Sequence, residues 1–232
     1  MTDMTKSPEK PLALITGASR GIGAATALAL AATHHVIITA RSEKDLAAIE
    51  GRIHGAGGTA TIAPFDLADG DAIDRLAAAV GARWGQLDVL VLNAAMLGTL
   101  TPLPHITPAE WDKVMALNVT ANWRLIRAFD PWLRQSPAAD LVAITSSLGS
   151  RPRAYWGGYA ASKAALESMI ATYGLETAAI SAIRTHVVDP GATRTAMRAR
   201  AFPGENPAGV KPPEAVVPLI MAALATPRRA SA

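Results

Sequence analysis

Cysteine is absent from all 232 residues, which excludes disulfides, thiolate metal sites and cysteine nucleophiles and fits a reducing compartment. Aromatic side chains make up only 5% and charged ones 18%, while half of the residues are hydrophobic and alanine is abundant. That balance excludes a disordered chain and suits close-packed helices around a substantial core. Lysine and arginine are scattered, with no basic block carrying interleaved aromatics. The formal charge of +3 and pI near 9.4 therefore give nucleic-acid binding little support. The segment Met1–Lys10 is polar, includes Asp3 and Glu9, and has no apolar core of signal-peptide length. No later run approaches a membrane span, so a soluble cytoplasmic protein is expected. The histidines at 34, 35, 54, 105 and 186 lack metal-ligand spacing, and no metal site is expected.

What is present is an alternation of short apolar runs with longer helical stretches, the pattern of a parallel sheet covered on both faces. Candidate strands are Leu12–Thr16, His35–Ala40, Thr59–Pro64, Leu87–Leu92, Leu141–Thr145 and Thr185–Val188. Helical stretches fall near 22–33, 43–55, 70–84, 108–135 and 159–180, and a last one over Pro213–Ala225 precedes a short basic tail. The expected fold is α/β: one doubly wound parallel sheet in three α/β/α layers over 11–232, after a flexible N-terminus over 1–10. Residues 196–213, with Phe202-Pro203-Gly204-Glu205-Asn206-Pro207 and Lys211-Pro212-Pro213, read as an irregular loop of the kind that binds or covers substrates.

Thr16-Gly17-Ala18-Ser19-Arg20-Gly21-Ile22-Gly23 follows the first strand and opens an Ala/Leu-rich helix. Glycines there permit a tight turn and let backbone amides approach a pyrophosphate, with the helix N-terminus adding N–H donors and dipole. The second strand ends in Thr39-Ala40-Arg41-Ser42, where folds that select NAD place an acid for the ribose 2′-hydroxyl. Two cations, Arg20 and Arg41, and the Ser42 hydroxyl suit a 2′-phosphate instead. At about 1.5–3 kcal/mol per charge-assisted hydrogen bond, one or two such contacts give more than tenfold preference for NADP(H) over NAD(H).

Tyr159-Ala160-Ala161-Ser162-Lys163 places a phenol and an ammonium on one helix face, one turn apart. Tyrosine ionises near pH ~10, and lowering that by ~3 units takes about 4 kcal/mol, which a nearby cation supplies. A phenol so poised exchanges a proton with a carbonyl or alcohol oxygen. Ser146, in Thr145-Ser146-Ser147-Leu148-Gly149, precedes it by thirteen positions.

The glycine spacing Thr-Gly-x-x-x-Gly-x-Gly with the Tyr/Lys pair resembles the short-chain dehydrogenase/reductase family in its compact, single-domain, NADP-preferring branch, and the resemblance covers about residues 11–195. It implies a Rossmann-type fold and further cofactor contacts. Asp66 with Leu67 would meet the adenine, and Asn93-Ala94-Ala95 would line the cofactor. Pro190, Gly191, Thr193 and Thr195 would contact the nicotinamide carboxamide, and Gly17, Ser19, Arg20, Gly21, Ile22 and Gly23 the phosphates. Asp189 stands where Asn is commoner in the family. Asn118 would kink its helix and hold a water connecting to the lysine. Lys163 would lower the Tyr159 pKa and hold the ribose, while Ser146 orients the substrate oxygen that Tyr159 protonates. The C-terminus departs from the family, since no seventh strand is visible after Ala225.

The implied activity is hydride transfer between NADP(H) and a small-molecule carbonyl or secondary alcohol. A ketoacyl reductase of fatty-acid synthesis and a catalytically silent NADP(H)-binding regulator are the alternatives. Leu97, Ser146, Leu148, Tyr155, Trp156, Met197 and Phe202 are the candidate substrate residues, with Met96 beside them. Arg151 and Arg153 would meet an acidic group of the substrate or stand as plain surface charges, the commoner case. The expected assembly is a homodimer or homotetramer packed through helices 108–135 and 159–180, with neither membrane nor nucleic acid as a partner.

Overall fold

The computed structural model describes residues 10–227. The expected flexible N-terminus, save Lys10, and the basic tail beyond Pro227 lie outside the described residues. The strands are β1 (Leu12–Thr16), β2 (His35–Ala40), β3 (Thr59–Pro64), β4 (Val89–Leu92), β5 (Asp140–Ile144) and β6 (Arg184–Val188). They form one parallel sheet in the order β3-β2-β1-β4-β5-β6. The helices are α1 (Gly21–Leu30), α2 (Glu43–Gly55), α3 (Gly70–Trp84), α4 (Pro108–Met115), α5 (Ala121–Gln135), α6 (Gly157–Thr177), α7 (Ala196–Ala201) and α8 (Val217–Ala225).

Alternation along the buried strands builds a separate core on each face of the sheet. Leu12, Leu14, Leu90, Leu92, Leu141 and Ala143 point one way, onto Val80 of α3, Leu125 and Phe129 of α5 and Leu166 and Ile170 of α6. Ala13, Ile15, Val89, Val91, Val142 and Ile144 point the other way, onto Leu30 of α1, Ile49 and Ile53 of α2 and Ile220 of α8. Both sheet faces are thus covered, as the near-continuous apolar runs require. The chain reverses its winding between β1 and β4, which opens a crevice at the C-terminal ends of those strands.

Several boundaries differ from the sequence pattern, each for a local reason. β4 begins at Val89 and not at Leu87, because Leu87 N–H donates to Trp132 O and the Asp88 carboxylate accepts from Leu12 N–H at 2.7 Å. The stretch 108–135 is not one helix. Thr107 caps α4 by accepting from Glu110 N–H at 3.2 Å, a π turn over Ala116–Thr120 follows, and α5 then resumes. Residues 196–213 are less irregular than expected, because Thr195 caps the short α7 by accepting from Arg198 N–H at 3.1 Å.

Pro207–Ala225 does approach a membrane span by length and composition, with mean hydropathy 1.3, contrary to the sequence expectation. It is divided into 3-10 turns at Pro207–Gly209 and Pro213–Val216 and the nine-residue α8, whose Ile220 packs in the core. Among the described residues no strand follows β6.

Candidate active site

The crevice is closed at its floor by contacts between the ends of β1 and β4. Thr16 Oγ1 donates to Val91 O at 3.2 Å and accepts from the amides of Asn93 and Ala94 at 3.0 and 3.1 Å. Asn93 Nδ2 returns hydrogen bonds to Thr16 O and Gly17 O at 2.8 and 3.2 Å. Thr16 was legible only as the first letter of the glycine motif, yet its hydroxyl joins the two strands at the switch point.

The glycine turn is tight for steric reasons. Gly17 and Gly21 have φ of +65° and +58°, in the left-handed region. A methyl group on Gly23 would stand 2.4 Å from Gly17 O and 2.5 Å from Asn93 Nδ2. No side chain caps the first turn of α1, so its amide donors are left for a ligand. These residues therefore fit a dinucleotide pyrophosphate.

Arg41 at the end of β2 and Arg20 at the start of α1 are exposed, and neither forms an ion pair among the described residues. Ser42 is committed differently from the expectation: its Oγ caps α2 by accepting from Asp45 N–H at 3.2 Å, leaving only its O–H to donate elsewhere. Asp66 is exposed and Oδ1 accepts from Ala68 N–H at 3.0 Å. The Leu67 side chain lies in the core at 6% exposure.

Ser146, Tyr159 and Lys163 converge beyond the end of β5. Tyr159 is buried, hydrogen-bonded to the Ser146 hydroxyl, and its ring centroid lies 5.7 Å from Lys163 Nζ. Lys163 is buried and donates to Ile144 O at 2.7 Å. The Tyr159 phenol is shifted in the direction opposite to the expected lowering. Burial, reinforced by the Asp189 carboxylate, pushes the phenol up to about 12, and the Ser146 hydrogen bond opposes this only in part. Burial likewise draws Lys163 down to about 8, while the nearby Glu167 carboxylate works the other way. Glu167 is itself held by the Thr145 hydroxyl.

Asn118 sits in the π turn, fully buried. Its side chain is not directed at the lysine: Oδ1 accepts from Met96 N–H at 2.8 Å, and Nδ2 donates to Met96 O at 2.9 Å and Ser162 Oγ at 3.0 Å. Ser162, unremarked in the sequence because it falls inside the Tyr159–Lys163 interval, then donates to Tyr159 O at 2.7 Å. The pair joins α6 to the β4–α4 connection.

Asp189 accepts from Gly191 N–H at 2.9 Å, forming a turn that Gly191 completes at φ +59°. The buried Thr193 donates to Pro190 O at 3.1 Å, and Thr195 approaches Gly21, whose added methyl would lie 3.5 Å from Thr195 Cγ2. Among the residues expected to meet a substrate, the rings of Trp156 and Tyr159 are 6.0 Å apart and those of Trp156 and Phe202 5.7 Å apart. Leu148 and Met197 are half-buried, whereas Leu97 retains only 4% exposure. Tyr155 is the sole non-glycine residue with positive φ among the described residues, at +74°, a conformation costing about 1–2 kcal/mol.

A doubly wound parallel sheet with a glycine turn at its switch point is a Rossmann-like fold. The short chain dehydrogenase family matches residues 11–206, and the chain belongs to that family of oxidoreductases. Oxidoreductase YciK of Escherichia coli K12, itself uncharacterized, is 37% identical over 214 residues, covering 90% of this chain and 83% of the relative. A short chain dehydrogenase from Salmonella enterica serovar Typhi superposes with TM-score 0.88 at 34% identity, covering 93% of this chain and 90% of the other. A metagenomic short-chain oxidoreductase in complex with NADP gives TM-score 0.81 at 32% identity, with 96% and 94% covered.

Proposed function

We propose that the protein is an NADP(H)-dependent reductase of ketones or aldehydes, with Tyr159 as the proton donor. The observation that carries this reading is the convergence of Ser146, Tyr159 and Lys163 beside a glycine turn flanked by two exposed arginines. The NADP complex of the similar metagenomic oxidoreductase supports the cofactor assignment. The glycine turn and the α1 amides would hold the pyrophosphate, Arg20 and Arg41 the 2′-phosphate, and the 190–195 segment the nicotinamide side. NADPH, when bound, supplies the hydride.

The protein's own groups manage the proton. At neutral pH a phenol raised to about 12 is fully protonated, the state required to give a proton to a carbonyl oxygen. Ser146 donates a hydrogen bond to the same oxygen and orients it. The Lys163 ammonium, mostly charged at pH 7, opposes the phenolate that is left behind. Asn118 acts by position, since its amide is occupied by Met96 and Ser162.

A second copy of the chain is the proposed partner, docked on the α4 and α5 faces that expose Trp111 and Trp123. The test of the activity is oxidation of NADPH and NADH with a panel of ketones, β-keto esters and aldehydes, with Tyr159→Phe alongside. Turnover with NADPH that falls at least about 100-fold in the variant, with cofactor binding retained, supports the reading. Undiminished turnover in Tyr159→Phe overturns it.

A further inference from the structure

The aromatic path that begins at Tyr159 does not end in solvent. Trp156 follows at 6.0 Å and Phe202 at a further 5.7 Å, and two guanidinium groups then approach the Phe202 ring, Arg198 at 3.7 Å and Arg153 at 5.6 Å. The two arginines differ in one decisive respect. Arg198 is spoken for: its Nε and Nη2 donate to the two carboxylate oxygens of Glu205 at 2.7 and 2.5 Å. It fixes Phe202 from the α7 side and has its charge neutralised. Arg153 is exposed and has no carboxylate partner among the described residues.

The segment that carries Arg153 is held in a costly shape. Tyr155 adopts φ +74°, its carbonyl accepts from Thr101 N–H at 3.2 Å, and Trp156 N–H donates back to Arg153 O at 3.2 Å. This turn aims Arg153 and Trp156 at the same ring. Backbone strain in a residue bearing a Cβ persists where the surroundings over-determine it, commonly at ligand-contacting segments. Neighbouring segments carry further exposed cations, Arg151, Arg194, Arg200 and Lys211, none of them ion-paired among the described residues, alongside the Asp189 carboxylate that acts on Tyr159. An excess of unpaired positive charge favours the approach of anionic ligands.

We propose that Arg153 binds an anionic group of the substrate. The site then takes carbonyl compounds whose carboxylate, or a comparable anion, lies at the far end of an apolar or aromatic body. The carbonyl stands at Tyr159 and Ser146, the body rests against Trp156 and Phe202, and the anion meets the guanidinium, whose planar fork suits two oxygen acceptors at once. This inference rests on the carbonyl-reductase reading and narrows its substrate class.

The test uses pairs that differ only in charge: 4-acetylbenzoate against its methyl ester, and the corresponding acetylbiphenyl carboxylate against its ester, each with NADPH. The quantity read is the ratio of kcat/KM for acid over ester. It is expected above one in the native enzyme, about tenfold lower in Arg153→Ala, below one in Arg153→Glu, and partly restored in Arg153→Lys. Arg52→Ala, on the exposed face of α2, controls for overall charge and leaves the ratio unchanged. A ratio in Arg153→Ala within twofold of the native value overturns the inference, even with both ketones turned over. If neither compound consumes NADPH, the reductase reading fails for aryl ketones. Calorimetric binding of 4-acetylbenzoate to the NADP-loaded protein then decides on Arg153: tenfold weakening in Arg153→Ala supports the site, and equal or absent binding overturns it.

Discussion

Lys163 places its ammonium 2.7 Å from the main-chain oxygen of Ile144, in a buried environment and 5.7 Å from the centre of the Tyr159 ring. A charge kept there costs stability. Its folded pKa of about 8 is below the ordinary lysine value, so between the two the unfolded chain binds the extra proton. Stability from this group must therefore rise as pH increases from about 8 toward the normal lysine range. Urea unfolding of the native protein and Lys163→Met at pH 7 to 10 reads it: the native protein gains on the variant with pH, by up to about 3 kcal/mol. Parallel curves would mean an unshifted lysine.

The raised phenol has its own consequence for direction. Giving a proton needs the neutral phenol, which is complete throughout pH 6 to 8, so carbonyl reduction should be flat over that window as far as Tyr159 is concerned. Accepting a proton during alcohol oxidation needs the phenolate, whose population grows about tenfold per pH unit while pH stays well below the pKa. Initial rates in both directions at saturating cofactor check this. A flat oxidation profile would place the working pKa of Tyr159 below 6.

The glycine turn should tolerate no side chain at Gly23. A methyl there meets Gly17 O at 2.4 Å and Asn93 Nδ2 at 2.5 Å, both part of the strand-end contact. Gly23→Ala is expected to raise the NADPH Kd at least about tenfold and to destabilise by about 1–3 kcal/mol. Gly51→Ala, with nothing within 4 Å of the added methyl in α2, should instead stabilise by up to about 1 kcal/mol. Fluorescence titration and thermal melts distinguish the two.

Cofactor choice should reside in the exposed pair at the ends of α1 and β2. Arg41→Ala and Arg20→Ala are each expected to cut the NADPH-over-NADH preference in kcat/KM by about tenfold, from the loss of one charge-assisted hydrogen bond. Arg41→Asp should invert it, because a carboxylate repels the 2′-phosphate and accepts from a 2′-hydroxyl. An unchanged preference in both alanine variants would remove these residues from the cofactor site.

Most of the sheet was legible because its signal is local. β1, β2 and β3 begin and end where the short apolar runs do, and the glycine turn and the Tyr159–Lys163 spacing carry their geometry in the chain itself. What was not legible depends on neighbours distant in sequence. Asp88 leaves the strand pattern because its carboxylate is taken by Leu12 N–H, 76 positions away. Ser162 looked like an ordinary helix residue until Asn118, 44 positions earlier, appeared beside it. The sign of the Tyr159 shift was misjudged for the same reason. A lysine one turn away is visible in sequence, whereas the burial that raises the phenol and the contribution of Asp189 are not.

The π turn over Ala116–Thr120 makes the phase of a helix a functional variable. Its wider winding accommodates one residue more than an α-helical turn would, and an α-helix rotates by about 100° per residue. Deleting a single residue between 116 and 120 would let the segment relax into continuous α-helix while swinging α4 and its approach through that angle relative to α5. Asn118 would then no longer face Met96 and Ser162 together. A shortened loop elsewhere costs little, but here the loss of one residue would preserve a regular helix and uncouple it from the helix that bears Tyr159 and Lys163.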